Sequence, residues 1–86
     1  APLYRAFWQV IASLVPKIGF PALPDAETLA AMRATAAPPW EDMRARACAS
    51  ADEHDVSLTY SAWAEEAVWH DPLYRVVAAR RLGMIA

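Results

Sequence analysis

Apolar residues crowd the first fifteen positions in a helical rhythm. Leu3, Tyr4, Phe7, Trp8, Val10, Ile11, Leu14 and Val15 are interrupted by only three polar residues, Arg5, Gln9 and Ser13. Phe7, Ile11, Leu14 and Val15 fall at i, i+4, i+7 and i+8, the spacing of one helical face. The three polar residues recur at every fourth position, so the wetted face is one residue wide. The pattern predicts a helix over Leu3 to Val15 that needs burial nearly all round. Pro2 precedes it, at a first-turn position where a missing N–H loses no hydrogen bond. Pro16, Gly19, Pro21 and Pro24 then forbid regular structure over about nine residues.

Asp25 is a good N-cap for a second helix, predicted over Ala26 to Thr35 with Leu29 and Met32 as its apolar contacts. Pro38-Pro39 breaks the chain again. Trp40, Glu41 and Asp42 open a third helix, with both acids in the first turn where the macrodipole favours them. Its apolar side is Trp40, Met43, Ala47 and Ala51, small enough for a second backbone to come close. The run Asp52-Glu53-His54-Asp55 reads as a solvated connector that ends this helix. Val56 and Leu58 lead into a fourth, from about Thr59 to Trp69, carrying Trp63, Ala67 and Val68. Asp71-Pro72 combines an N-cap with Pro at the next position and starts a fifth helix, running to about Leu82. Leu73, Val76 and Val77 share one of its faces, Arg80 and Arg81 suit its negative end, and Gly83 is the expected C′ residue. No strand signal, internal repeat or low-complexity tract appears. The expected fold is all-α: about five short helices joined by Pro-rich turns, with a non-globular character. Residues 1–86 form a single domain, with 1–20 as an N-terminal contact helix and loop and 21–86 as a helical body.

Composition sharpens this picture. Of 86 residues, 57% are hydrophobic, including four Trp, three Tyr and two Phe, against roughly 45–50% in an ordinary globular domain. Each aromatic can bury on the order of 150–250 Å², and a chain this short hides a smaller share of its surface than a larger one. The remainder forms exposed apolar patches, which mark contact surfaces. Trp40 and Trp63 are read as core residues. Trp8 and Trp69 are harder to house and are read as contact residues.

The net charge of −2 supplies no basic field for nucleic acid. Arg75, Arg80 and Arg81 lack the glycine or aromatic pattern of an RNA-reading module. Cys48 stands alone, which leaves no disulfide framework and no cysteine-based zinc site. It is expected to be a small buried residue in a reducing compartment such as cytosol or mitochondrial matrix. The longest uncharged apolar run, Ala6 to Val15, would rise only about 15 Å as helix, half the hydrocarbon thickness. No membrane span and no secretory signal are expected.

Candidate chemistry is sparse. His70-Asp71 with Glu65 and Glu66 one turn upstream resembles an oriented ligand or base, but no HExxH or cysteine pair supplies further donors. His54 sits in the charged run. The serines lack nucleophile-elbow glycines, and two glycines in the whole chain exclude a phosphate-cradling loop. Glu65 and Glu66 are adjacent on a helix and do not face each other. No catalytic, cofactor-binding or metal residue is assigned; a small soluble metal protein built on His54 and His70 is the alternative of a different class.

The order of residues nevertheless resembles one family. Trp8, Ala12 and Lys17-Ile18-Gly19-Phe20 are similar to an aromatic helix ending in Lys, an aliphatic residue and Gly. Asp25-Ala26-Glu27 leading to Ala31-Met32-Arg33 is similar to an acidic start followed by Ala-x-Arg. Met43-Arg44-Ala45-Arg46-Ala47 with a later His54, Leu58 to Trp63, Glu65-Glu66 and Pro72-Leu73-Tyr74 follow in the family's order. The chain thus resembles subunit 7 of the mitochondrial ubiquinol–cytochrome c reductase complex, respiratory complex III. It departs from that pattern at Ala34 to Pro39, where the family has Arg-Leu-Pro, and at Thr59, where it has Pro. The N-terminal arm is shorter and the charged C-terminal tail nearly absent.

The resemblance implies a non-catalytic accessory subunit at the inner mitochondrial membrane, peripheral on the matrix side. It would pack on cytochrome b and the core subunits, with room for peripheral contact with membrane or lipid. It would stabilise the assembly that passes electrons from ubiquinol to cytochrome c, without a cofactor of its own. The candidate partner-contact residues are Phe7, Trp8, Ile11, Lys17, Arg46, Trp63, Trp69 and Tyr74. An accessory place in a different respiratory complex or in ATP synthase would use the same apolar excess.

Overall fold

The computed structural model describes residues 2–86; Ala1, the first residue of the expected contact segment, lies outside the described residues. Every regular element described is a helix: α1 Pro2–Lys17, α2 Ala26–Arg33, α3 Trp40–Cys48, α4 Glu53–Trp69 and α5 Leu73–Arg81. The all-α expectation holds.

The helix ends follow local chemistry. α1 runs two residues past its expected end, carrying Pro16 in its last turn. Gly19 then takes φ +86°, and the amides of Gly19 and Phe20 donate to the carbonyls of Pro16 and Val15. That is a Schellman stop, which satisfies carbonyls left open at a helix end and needs the left-handed backbone glycine tolerates. α5 ends the same way: Gly83 at φ +71° and Met84 donate to Arg80 and Ala79. The Asp25 carboxylate accepts the Thr28 amide at 2.7 Å and caps α2. The Asp71 carboxylate accepts the Leu73 amide at 2.9 Å, so it caps α5 across Pro72.

Two expectations are corrected here. The Asp52–Asp55 run is not a connector: Asp52 is the N-cap of α4, its carboxylate accepting the His54 amide at 2.9 Å, and Glu53 and Asp55 occupy the first turn. Acids at a helix start are stabilised by the open amides and the macrodipole, so α4 begins six residues before Thr59. α3 correspondingly stops at Cys48 and leaves Ala51 outside. The Ser50 hydroxyl donates to Asp55 at 2.6 Å and accepts the Asp52 amide at 3.0 Å, which diverts the backbone from continuing the helix.

The core lies where α3, α4 and α5 meet. Met43 and Ala47 come from α3, Thr59 and Ala62 from α4, Val76, Ala78 and Ala79 from α5, and Leu82 closes the end. Among the described residues Thr59 is the one buried polar residue, and its hydroxyl donates to the Asp55 carbonyl at 2.7 Å. Trp40, Tyr74, Met84 and Ile85 pack around this cluster half-buried. α2 leans on α5, where the Arg33 guanidinium binds both Asp71 carboxylate oxygens at 3.1–3.2 Å. α1 packs against none of the other described helices.

Two expected outcomes separate body from α1. Met43→Ala should destabilise the three-helix core by about 2–5 kcal/mol, read as a large loss of Tm by circular dichroism. Phe7→Ala in α1 should leave the same melt within about 0.5 kcal/mol of wild type; matching losses would show that α1 belongs to the folded core. Acid stability tests the caps. The Ser50 hydroxyl and then Arg81 hold Asp55 below the usual carboxylate range, the His54 amide does so for Asp52, and Arg33 for Asp71. Folded values below the unfolded ~3.9 mean stability is present above that pH and drains as pH falls through the lowered values. The Tm should stay flat from neutral pH to about pH 5 and drop steeply below pH 4. Asp55→Asn should flatten that limb.

Candidate functional site

α1 presents its apolar side without cover. At about 100° per residue, Leu3, Tyr4, Phe7, Trp8, Val10, Ile11, Leu14 and Val15 share one broad arc, while Arg5, Gln9, Ser13 and Lys17 run along the opposite side. No residue of α1 is buried, and Trp8 is 66% exposed. Ile11 and Val15 are half-buried. The exposed apolar series continues past the helix through Ile18, Phe20 and Leu23. Phe7 and Trp8 sit edge to face with centroids 6.3 Å apart. Four of the expected contact residues, Phe7, Trp8, Ile11 and Lys17, are therefore grouped on this one element.

The other four are dispersed over the body. α4 buries only a narrow strip, Thr59 and Ala62, where α3 and α5 pack on it. Val56, Tyr60 and Trp63, at i, i+4 and i+7, form an exposed stripe beside it. Trp63 was expected in the core and instead lies 40% exposed, tilted against Tyr60 at 5.8 Å. Cys48, expected to be buried, is exposed. It ends α3 at the rim of an apolar groove of about 320 Å³, which Val56, Tyr60 and Trp63 also line. Both corrections have one form: Ala47 and Ala62 take the buried positions of α3 and α4, and Cys48 and Trp63, each one residue and about 100° further round the helix, fall outside them. Tyr74 is half-buried and lines a second apolar groove of about 300 Å³ on the other flank of α4, with Leu58 and Val77. Trp69 is 65% exposed at the end of α4, its indole N–H donating to Glu65 at 2.7 Å. Arg46 stands apart, near Asp55 and Leu82.

A polar cluster that the sequence reading did not assemble joins α3, α4 and α5. Glu66 Oε1 accepts from Arg75 at 2.8 Å and from the Trp40 indole N–H at 3.3 Å, and the Arg75 guanidinium lies 5.5 Å from the centre of the Trp40 ring. The three line a pocket of about 540 Å³ with Trp63 and His70. Glu66 Oε2 and Arg75 Nε are buried without a hydrogen-bond partner. The spacing Trp40…Glu66…Arg75 carries no local signal, since each residue lies on a different helix. One oxygen of the carboxylate is held by both a guanidinium and an indole. It works as a clamp between helices. Among the described residues, no three His, Cys, Asp or Glu side chains come together as a metal ion would require. His70 ends α4 in a left-handed conformation, φ +56°, its amide bound to the Glu66 carbonyl at 2.8 Å. His54 reaches the Asp52 carboxylate at 2.8 Å on the surface.

Glu66→Ala strips both donors of their acceptor and is expected to remove about 1–3 kcal/mol of stability. Glu65→Ala, which faces water beside Trp69, should shift it by no more than about 0.5 kcal/mol. Paired urea denaturation curves check this, and equal losses would refute the clamp.

Comparison with family models, with curated proteins and with solved structures finds no match for this chain.

Proposed function

We propose that this chain is a non-catalytic accessory subunit of a larger membrane-associated assembly, which it joins through α1 and the apolar flanks of α4. The resemblance in residue order points to complex III as that assembly. There the subunit packs on the matrix side of cytochrome b and the core proteins and supports electron transfer from ubiquinol to cytochrome c.

One observation carries this reading. The chain exposes 6672 Å², whereas a compact monomer of its mass, 9.5 kDa, exposes about 5,000 Å². The excess, roughly 1,600 Å², is about twice the ~800 Å² that each partner contributes to a standard stable interface. It is also apolar where it is concentrated: Leu3, Tyr4, Phe7, Trp8, Val10, Leu14, Ile18, Phe20 and Leu23 are all exposed. Such a patch is large for a monomer and belongs to a contact surface. The chemistry of the remaining surface is consistent with a docking role, since its polar cluster is spent on joining helices.

Purification of the tagged chain from its native membranes in mild detergent, followed by native mass spectrometry, tests the reading. The expected result is a stable complex containing haem-bearing cytochrome b and the core subunits, weakened severalfold by Tyr60→Asp on the exposed flank of α4. Subunits of ATP synthase or of a different respiratory complex in their place would move the chain to that assembly. Recovery as a partner-free monomer would overturn the docking role altogether.

A further inference from the structure

We infer that α1 is an interfacial anchor that lies along an anionic lipid surface, its axis in the plane of the bilayer interface. The inference rests on the docking reading and deepens it by naming what α1 touches: phospholipid, with the helical body left for protein neighbours.

Three features of the molecule point to lipid. The first is the division of α1 into two sides. Its apolar arc spans roughly 160° at about 100° per residue and holds Leu3, Phe7, Val10, Ile11 and Leu14, with Tyr4 and Trp8 toward one border. The opposite side is a single row, Arg5, Gln9, Ser13 and Lys17, spaced by four. Indole and phenol rings favour the headgroup level, and Arg and Lys flanking an apolar arc can lay their stems on it while their charges reach outward. This is the make-up of a helix that lies in an interface. It is not that of a spanning helix, and no helix of the described chain is long and apolar enough to cross a membrane.

The second feature is charge segregation. Residues 2–24 carry Arg5 and Lys17 and no acid. All ten Asp and Glu in the chain lie from Asp25 onward. An anionic surface attracts the N-terminal segment and repels the body, so the chain is oriented before it makes contact. A protein groove would need no such division.

The third is freedom from the fold. α1 packs on no other helix, so its apolar arc can enter the interface without unfolding the α3–α5 core. Ile18, Phe20 and Leu23, in the loop after the Schellman stop, are exposed as well.

Co-sedimentation of the full chain with vesicles tests this. The probes are vesicles of phosphatidylcholine alone and of an equal mixture of phosphatidylcholine and phosphatidylglycerol. The expected result is binding to the mixed vesicles stronger than to the neutral ones by roughly tenfold or more, reduced by added salt. Binding should be accompanied by a blue shift of tryptophan emission that Trp8→Phe removes. Leu14→Asp, on the apolar arc, should abolish binding, while Gln9→Lys, on the polar row, should preserve or strengthen it. Equal affinity for both vesicles, no binding to either, or binding untouched by Leu14→Asp would overturn the inference. A chain that ignores vesicles yet co-purifies with a protein assembly would place α1 on protein and leave the docking reading standing. A chain that binds vesicles but joins no assembly would do the reverse.

Discussion

The core of this molecule is built largely from methyl groups. Ala47, Ala62, Ala78 and Ala79 make up most of the cluster in which α3, α4 and α5 meet, with Met43 and Leu82 completing it. Small residues let helix axes come close, and dispersion contacts are dense as a result. They also bury little area apiece, at about 0.8 kcal/mol per methylene-sized group. A core so narrow has no room for four indoles. The large apolar side chains are displaced to the outside: Trp8 and most of the α1 arc, Trp63 and Trp69 along α4, with Trp40 partly against the cluster.

That displacement divides the chain into two parts with different physics. The body is held by its alanine contacts, by the Glu66–Arg75–Trp40 clamp and by ion pairs at helix ends. Arg81 in the last turn of α5 reaches Asp52 at the N-cap of α4 and Asp55 in its first turn, which places opposite charges at the two complementary helix ends. These surface pairs are screened by water and fix orientation more than they add stability. α1 has none of this support. Its hydrogen bonds are internal, its sides are wet, and its formation as a helix depends on its own propensity until something covers it. The acid-free basic α1 and the acid-rich body complete the separation.

Much of the architecture was readable from residue order. Asp25, Asp71-Pro72 and Gly83 each carry a local signal whose geometry is decided within four residues, and each does what that signal implies. The wide apolar arc of α1 likewise announced a helix without an internal partner. What failed was tertiary in origin. Asp52 to Asp55 is as compatible with a solvated connector as with a first turn, and Ser50, by bonding both Asp52 and Asp55, decides between them. Cys48 and Trp63 have core-like identities, but the buried positions of α3 and α4 fall to Ala47 and Ala62, each one residue earlier. The Glu66 clamp draws on three helices and has no footprint in any one segment. Of the contact candidates, the α1 group could be read as a unit from periodicity; Arg46, Trp69 and Tyr74 lie on separate surfaces that periodicity alone does not relate.

α1 is a formed helix that packs on no other helix of the described chain. Residue-resolved hydrogen exchange on the dilute, isolated full chain measures this directly. Amides of α3, α4 and α5 should share the protection of global unfolding, while those of α1 exchange near the rate of an unanchored peptide helix. Protection of α1 equal to that of α4 in the monomer would contradict this.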